Sequence, residues 1–142
     1  TDLRTPTQLE RDRQEASERD ILVDFAMALR GSEYRYGGSS PDGFDCSGFT
    51  RYVYRKIDVE LPPQSSLQAK KGERVALDEA RRGDLIFFGR GRRIDHVGMI
   101  VSNGREGLKV IHSTTSSGVR VDEVSASNYW SKRLQFSRAI LH

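Results

Sequence analysis

Phe44-Asp45-Cys46-Ser47-Gly48-Phe49 decides the reading of this chain, because it holds the only cysteine in 142 residues and opens a stretch with helical spacing. Phe49, Val53 and Ile57 follow Cys46 at intervals of three or four, which places the sulfur on the apolar face of a helix and at its N-terminus. Unpaired N–H groups and the positive dipole end there favour thiolate, the reactive form of the side chain. Gly48 leaves the first turn without a side chain, so that a substrate or a neighbouring backbone can approach. A lone buried cysteine is more often inert than catalytic, and a nucleophile needs a partner.

Two of the three histidines lie in apolar runs of strand type, Ile94-Asp95-His96-Val97-Gly98-Met99-Ile100-Val101 and Leu108-Lys109-Val110-Ile111-His112-Ser113. Alternation sets His96 with Gly98 and Ile100, and His112 with Leu108 and Val110. Asn103 and Gly104 between the runs favour a tight turn, so an antiparallel hairpin is expected, with both imidazoles on its helix-facing side. One histidine can then act as general base for Cys46 and the other can orient it. Two other readings stay open: satisfied core histidines, or ligands of a metal shared with Cys46. A structural zinc takes four ligands and the chain has no second cysteine, so no metal is expected. His142, the last residue, is assigned no role.

Working outward, residues 1–20 are mostly polar and charged and read as a flexible arm or linker, with the folded domain over 21–142. Ile21 to Leu29 has helical spacing and stops at Gly31. Tyr34-Arg35-Tyr36-Gly37-Gly38-Ser39-Ser40-Pro41-Asp42-Gly43 is a loop rich in turn formers, and Leu61-Pro62-Pro63 separates the cysteine helix, ending near Asp58, from a short helix around Ser65. Gly83-Asp84-Leu85-Ile86-Phe87-Phe88 reads as a turn into a buried strand, and Val119-Arg120-Val121 and Leu134 to Leu141 as further strands. Helices first and a strand meander after them make an α+β plan, with helices covering one face of an antiparallel sheet. The composition, 36% hydrophobic and 30% charged, fits one globular domain, and no apolar run is long enough to span a bilayer. A net charge of +3 is compatible with an anionic partner but is small enough to reflect solubility alone. The arginines at 90, 92 and 93 read as a solvated basic loop, with contact to an anionic glycan as the other reading.

Taken jointly, Tyr34-Arg35-Tyr36-Gly37-Gly38, Asp45-Cys46-Ser47-Gly48-Phe49, Leu61-Pro62, Gly83-Asp84-Leu85, His96-Val97-Gly98 and Ile111-His112-Ser113 resemble the NlpC/P60 cell-wall peptidases in order and spacing. Ser116-Ser117-Gly118-Val119 and Tyr129-Trp130 with Lys132 and Arg133 bring the likeness nearest to the Spr-like murein endopeptidases, which are Gram-negative envelope lipoproteins. The resemblance runs from about Tyr34 to Leu141.

It implies a papain-like fold and a cofactor-free cysteine endopeptidase acting on peptidoglycan stem peptides or cross-links. Cys46 would be the nucleophile, His96 the base and His112 the orienting group, with the Tyr34 hydroxyl beside the oxyanion. Ser47 and Ser65 match positions that in some members help bind the stem peptide, and helix-end hydrogen bonding is the other reading of both. Asp45 reads as a cap. The family carries arginine after Leu-Pro, where this chain has Pro63. A monomer without a nucleic-acid partner is expected, in the periplasm and held to the outer membrane by a lipidated N-terminus. A non-catalytic wall-binding module, or an amidase or acyltransferase of the same fold, remains the alternative.

Overall fold

The structure, a computed structural model, describes residues 1–141; His142 lies outside them. Helix α1 spans Pro6–Met27, which corrects the expected arm: residues 6–20 are helical and continuous with the segment that follows. Thr5 starts it. Its hydroxyl accepts the Gln8 N–H at 3.1 Å while the Gln8 side chain accepts the Thr5 N–H at 2.8 Å, a reciprocal capping box. Pro6 follows at a position where its missing N–H costs nothing. The first half looks like linker because only a narrow stripe of the helix, Arg19, Leu22, Val23 and Ala26, is buried. Arg19 ties it to the sheet by donating to Asp84 at 2.8 Å and to the carbonyls of Arg82 and Leu141 at 2.7 and 3.1 Å. The folded unit therefore begins ahead of Ile21.

Two-residue strands β1 (Ser39–Ser40) and β2 (Gly43–Phe44) form a small hairpin directly before α2 (Cys46–Arg55). Phe49 and Val53 of α2 are fully buried, each contributing roughly 2 kcal/mol of hydrophobic stabilisation. After α3 (Ser65–Gln68) come β3 (Glu73–Val75), β4 (Leu85–Arg90), β5 (Arg93–Gly104), β6 (Gly107–Thr114) and β7 (Gly118–Glu123). A single 3-10 turn (Val124–Ala126), α4 (Asn128–Arg133) and β8 (Leu134–Ala139) complete the chain. The larger sheet is antiparallel with order β3-β8-β4-β5-β6-β7. Its last strand in sequence is thus an interior one. No helix among the described residues is long and apolar enough to cross a membrane.

The expected histidine hairpin is β5–β6, but its turn is displaced: Gly104 pairs with Gly107, leaving Arg105 and Glu106 as the turn. Gly107, at φ 101°, supplies the left-handed conformation this demands. The sheet is covered on both faces. Leu85, Phe87, Val97, Met99 and Ile111 pack with Phe49 and Val53 of α2, whereas Ile86, Phe88, Ile100, Leu108 and Val110 pack with Val124 and Trp130. His96 and His112 share the second face, against Phe88 and Trp130. The alternation was legible and the side was not, because apolar residues occupy both alternating sets of β5 and β6.

Candidate active site

Cys46 is the first residue of α2, and Asp45 is its N-cap. One Asp45 oxygen accepts the Gly48 N–H at 2.6 Å and the other the Gly37 N–H at 3.1 Å, so a single carboxylate fastens the preceding loop to the helix start. Gly48 has the use anticipated for it. A Cβ there would fall 1.9 Å from the Gly38 carbonyl oxygen, and that oxygen accepts the Asp45 N–H at 3.0 Å. The opening of the helix is therefore built around neighbouring backbone. From the sheet side, the buried Ser113 hydroxyl donates to the Phe44 carbonyl at 2.7 Å, linking the histidine strand to the turn that presents the sulfur.

His96 Nε2 and His112 Nδ1 lie 2.8 Å apart, and His112 Nε2 is 2.8 Å from Asp122 Oδ2. Asp122 sits on β7 and also meets Arg120, at 3.0 Å. Trp130 covers both rings, its centroid 4.7 Å from each and nearly parallel to His96 at 26°. Gly98 makes the pairing possible: a Cβ on it would come within 2.5 Å of Val110 Cγ1 and 3.1 Å of His112 Cβ.

Cys46 and His96 line one cleft of about 820 Å³, together with Tyr34, Asp122, Trp130 and the arginines 90, 93, 120 and 133. His112 is fully buried behind them. Ser47 and Ser65 are not among the residues that line the cleft. The Ser47 hydroxyl is turned inward and donates to the Pro63 carbonyl at 2.7 Å, and Gln68 braces the same corner by donating to the Ser47 and Pro62 carbonyls at 3.1 and 2.9 Å. Ser65 begins α3, whose N-cap is Gln64. Among the described residues no cluster of three or more His, Cys, Asp or Glu is placed to hold a metal ion. Asp122 and Trp130 are site residues that sequence reasoning did not assign.

Burial dominates the protonation of the pair. It pushes the Cys46 thiol up to about 11, against backbone N–H groups of Val97, Ser47 and Cys46 itself that favour thiolate. Burial also pushes His96 down to about 3, assisted by the adjacent His112. Across the intervening pH range both groups are neutral, so the thiol proton passes to the free nitrogen of the imidazole as the sulfur attacks. Burial raises the Tyr34 hydroxyl as well, which keeps it a hydrogen donor.

The His96 shift has a consequence for folding. The unfolded imidazole titrates near 6.5 and the folded one far lower, so the stabilisation is complete above pH 6.5 and is lost as pH falls towards 3. By pH 5 this amounts to roughly 2 kcal/mol. Thermal melts should show Tm falling between pH 7 and pH 5, with a shallower fall in His96→Asn; equal slopes in the two proteins would contradict the buried neutral ring.

Residues 31–139 match the NlpC/P60 family. The chain is 37% identical over 113 residues to the probable endopeptidase p60 of Listeria innocua, covering 80% of this chain and 23% of that protein. It is 36% identical over 121 residues to the murein DD-endopeptidase MepS/murein LD-carboxypeptidase of Escherichia coli K12, covering 84% and 62%. Among solved structures, the peptidoglycan hydrolase RipB of Mycobacterium tuberculosis superposes with a TM-score of 0.77 at 27% identity, over 100% of this chain and 75% of that one. The chain thus spans less than two thirds of the length of either curated relative.

Proposed function

The chain belongs to the NlpC/P60 family, and on that premise we propose that it is a cysteine endopeptidase that hydrolyses amide bonds in peptidoglycan stem peptides or cross-links. The observation that carries the reading is a cysteine at a helix N-terminus sharing a cleft with His96, a histidine already paired at 2.8 Å to a buried second one. A core histidine pair would have no need of a cleft or of a sulfur within it.

Cys46 attacks the scissile carbonyl while His96 takes its proton and then delivers it to the leaving amine; water resolves the acyl-enzyme. The developing oxyanion lies at the α2 N-terminus, within reach of the Tyr34 hydroxyl, and each such donor is worth about 3 kcal/mol. Arg120 is held by Asp122, and the other three arginines on the cleft wall, Arg90, Arg93 and Arg133, outnumber Asp95 there and suit a substrate bearing carboxylates, as stem peptides do. This reading gives the basic residues at 90 and 93 a role beyond solvation. Inward-turned Ser47 then acts by fixing the Pro63 loop, and its contact with substrate is not part of the proposal.

The relatives' names support placement in the cell envelope. The finer placement, periplasmic and attached to the outer membrane through a lipidated segment ahead of Thr1, is part of the same proposal. Metabolic labelling of the full-length protein with radioactive palmitate should mark it, and an unlabelled protein in the soluble fraction would remove that part. The activity is tested by mass spectrometry of products from defined muropeptides. Fragments differing from substrate by one water at a single peptide bond are expected, and an unchanged substrate would leave the wall-binding alternative in place.

A further inference from the structure

The pair of histidines ends on a carboxylate, and the bonding capacity of that carboxylate passes along both rings. A carboxylate oxygen only accepts. Asp122 Oδ2 is 2.8 Å from His112 Nε2, so the hydrogen of that contact belongs to Nε2. Burial, the largest influence on His112, lowers its proton affinity although Asp122 pulls the other way, so the ring is neutral and its Nδ1 presents a lone pair. That lone pair faces His96 Nε2 at 2.8 Å, and the hydrogen between the rings must sit on His96 Nε2. What is left on His96 is an unprotonated Nδ1, in a ring that shares the cleft with Cys46. Arg120 holds Asp122 Oδ1 at 3.0 Å and so fixes the rotation of the carboxylate at the head of the relay. The opposite arrangement would set a lone pair of the fully buried His112 against a carboxylate oxygen, two acceptors with nothing between them.

We propose that Asp122 is a positioning residue that sets the tautomer of both histidines and thereby makes Nδ1 of His96 the atom that takes the proton from Cys46. In the step the S–H bond breaks, its electron pair forms the new C–S bond, and the carbonyl π pair moves onto oxygen. The proton moves to His96 Nδ1, and His96 Nε2–H goes on donating to His112. No proton reaches Asp122. As the oxyanion re-forms the C=O bond the C–N bond breaks, and the amine keeps that electron pair and receives the proton from Nδ1. The kinetic consequence rests on the peptidase reading; the tautomer assignment does not.

Asp122→Asn tests it at constant size, because a carboxamide can offer Nε2 either its oxygen or its NH₂ and so removes the bias. The kcat on muropeptide should fall by about 10²-fold or more with KM within about two-fold, following the cost of a wrong tautomer in nucleophilic triads. The ¹⁵N spectrum of histidine-labelled wild type should show both rings as Nε2–H tautomers, and in the variant His96 should become a mixture. An Nδ1–H tautomer for His96 in the wild type overturns the proposal, and that measurement stands even if the variant does not fold. A folded variant with unchanged tautomers and unchanged kcat overturns it equally. Wild-type protein that shows the expected tautomers yet cleaves no muropeptide would reject the peptidase reading and leave the assignment of the rings intact.

Discussion

Cys46→Ala lowers the kcat of muropeptide cleavage by about 10⁵-fold or more, the scale on which removal of a nucleophile acts in enzymes of this logic. The reason is specific to the atom. His96 and the α2 N-terminus remain in place, but no group can form the acyl-enzyme, and only polarisation of a bound carbonyl survives. The fold should tolerate the change. Cys46 is only half-buried, it occupies the first position of α2, and alanine is the best helix former, so the loss of the sulfur costs about 1 kcal/mol. The measurement pairs turnover, followed by product mass, with a thermal melt. Undiminished turnover in a folded variant would show that another residue attacks.

The second large effect is on stability and lies near the C-terminal end of α2, where Tyr54 meets Gly83, away from the residues that line the cleft. Asp84→Ala leaves the Arg19 guanidinium, 5% exposed, without its closest carboxylate. Breaking such a pair from one side costs roughly 3–5 kcal/mol, since the remaining charge stays buried. The loss spreads, because Asp84 Oδ2 also accepts the Arg81 N–H at 2.8 Å and the buried Tyr54 hydroxyl donates to the adjacent Gly83 carbonyl. A fall in Tm of about 10 °C is expected for a domain of this size. Adding Arg19→Met to Asp84→Ala should return part of it by removing the orphaned charge. If the double variant is less stable than the single one, the pair is not what holds α1 to the sheet. A chain shortened to begin at Ile21 should resemble a single variant, because it removes Arg19 and keeps Asp84.

That last comparison marks where the sequence was hardest to read. The helix over residues 6–27 was visible only in its apolar end, since its charged first half pairs with solvent and with itself. The usable signal was the cap, Thr5-Pro6-Thr7-Gln8, and not hydrophobic spacing. Around Cys46 the opposite holds. Cap, glycine and apolar spacing all coincide within a few residues, and the helix, its polarity and the buried face followed from them. The histidine strands lay between these cases. Period-two alternation paired His96 with Ile100 and His112 with Val110, but a sheet covered on both faces carries no mark of which layer is which. Asp122 escaped because its contact depends on the register of β6 against β7, where Val110 lies opposite it, and no local pattern states a register.

β8 is the final strand of the chain and yet lies between β3 and β4, while Trp130, just before it, closes over the imidazoles. Synthesis and any passage of the unfolded chain through a membrane therefore deliver the nucleophile long before the residues that finish its surroundings. A growing chain stalled after β7 would own Cys46, His96, His112 and Asp122 and still lack the strand that joins β3 to β4 and the roof of its cleft. On the peptidase reading, competence is in this sense timed by topology: the cleft is finished only when α4 and the closing strand β8 follow the residues they surround.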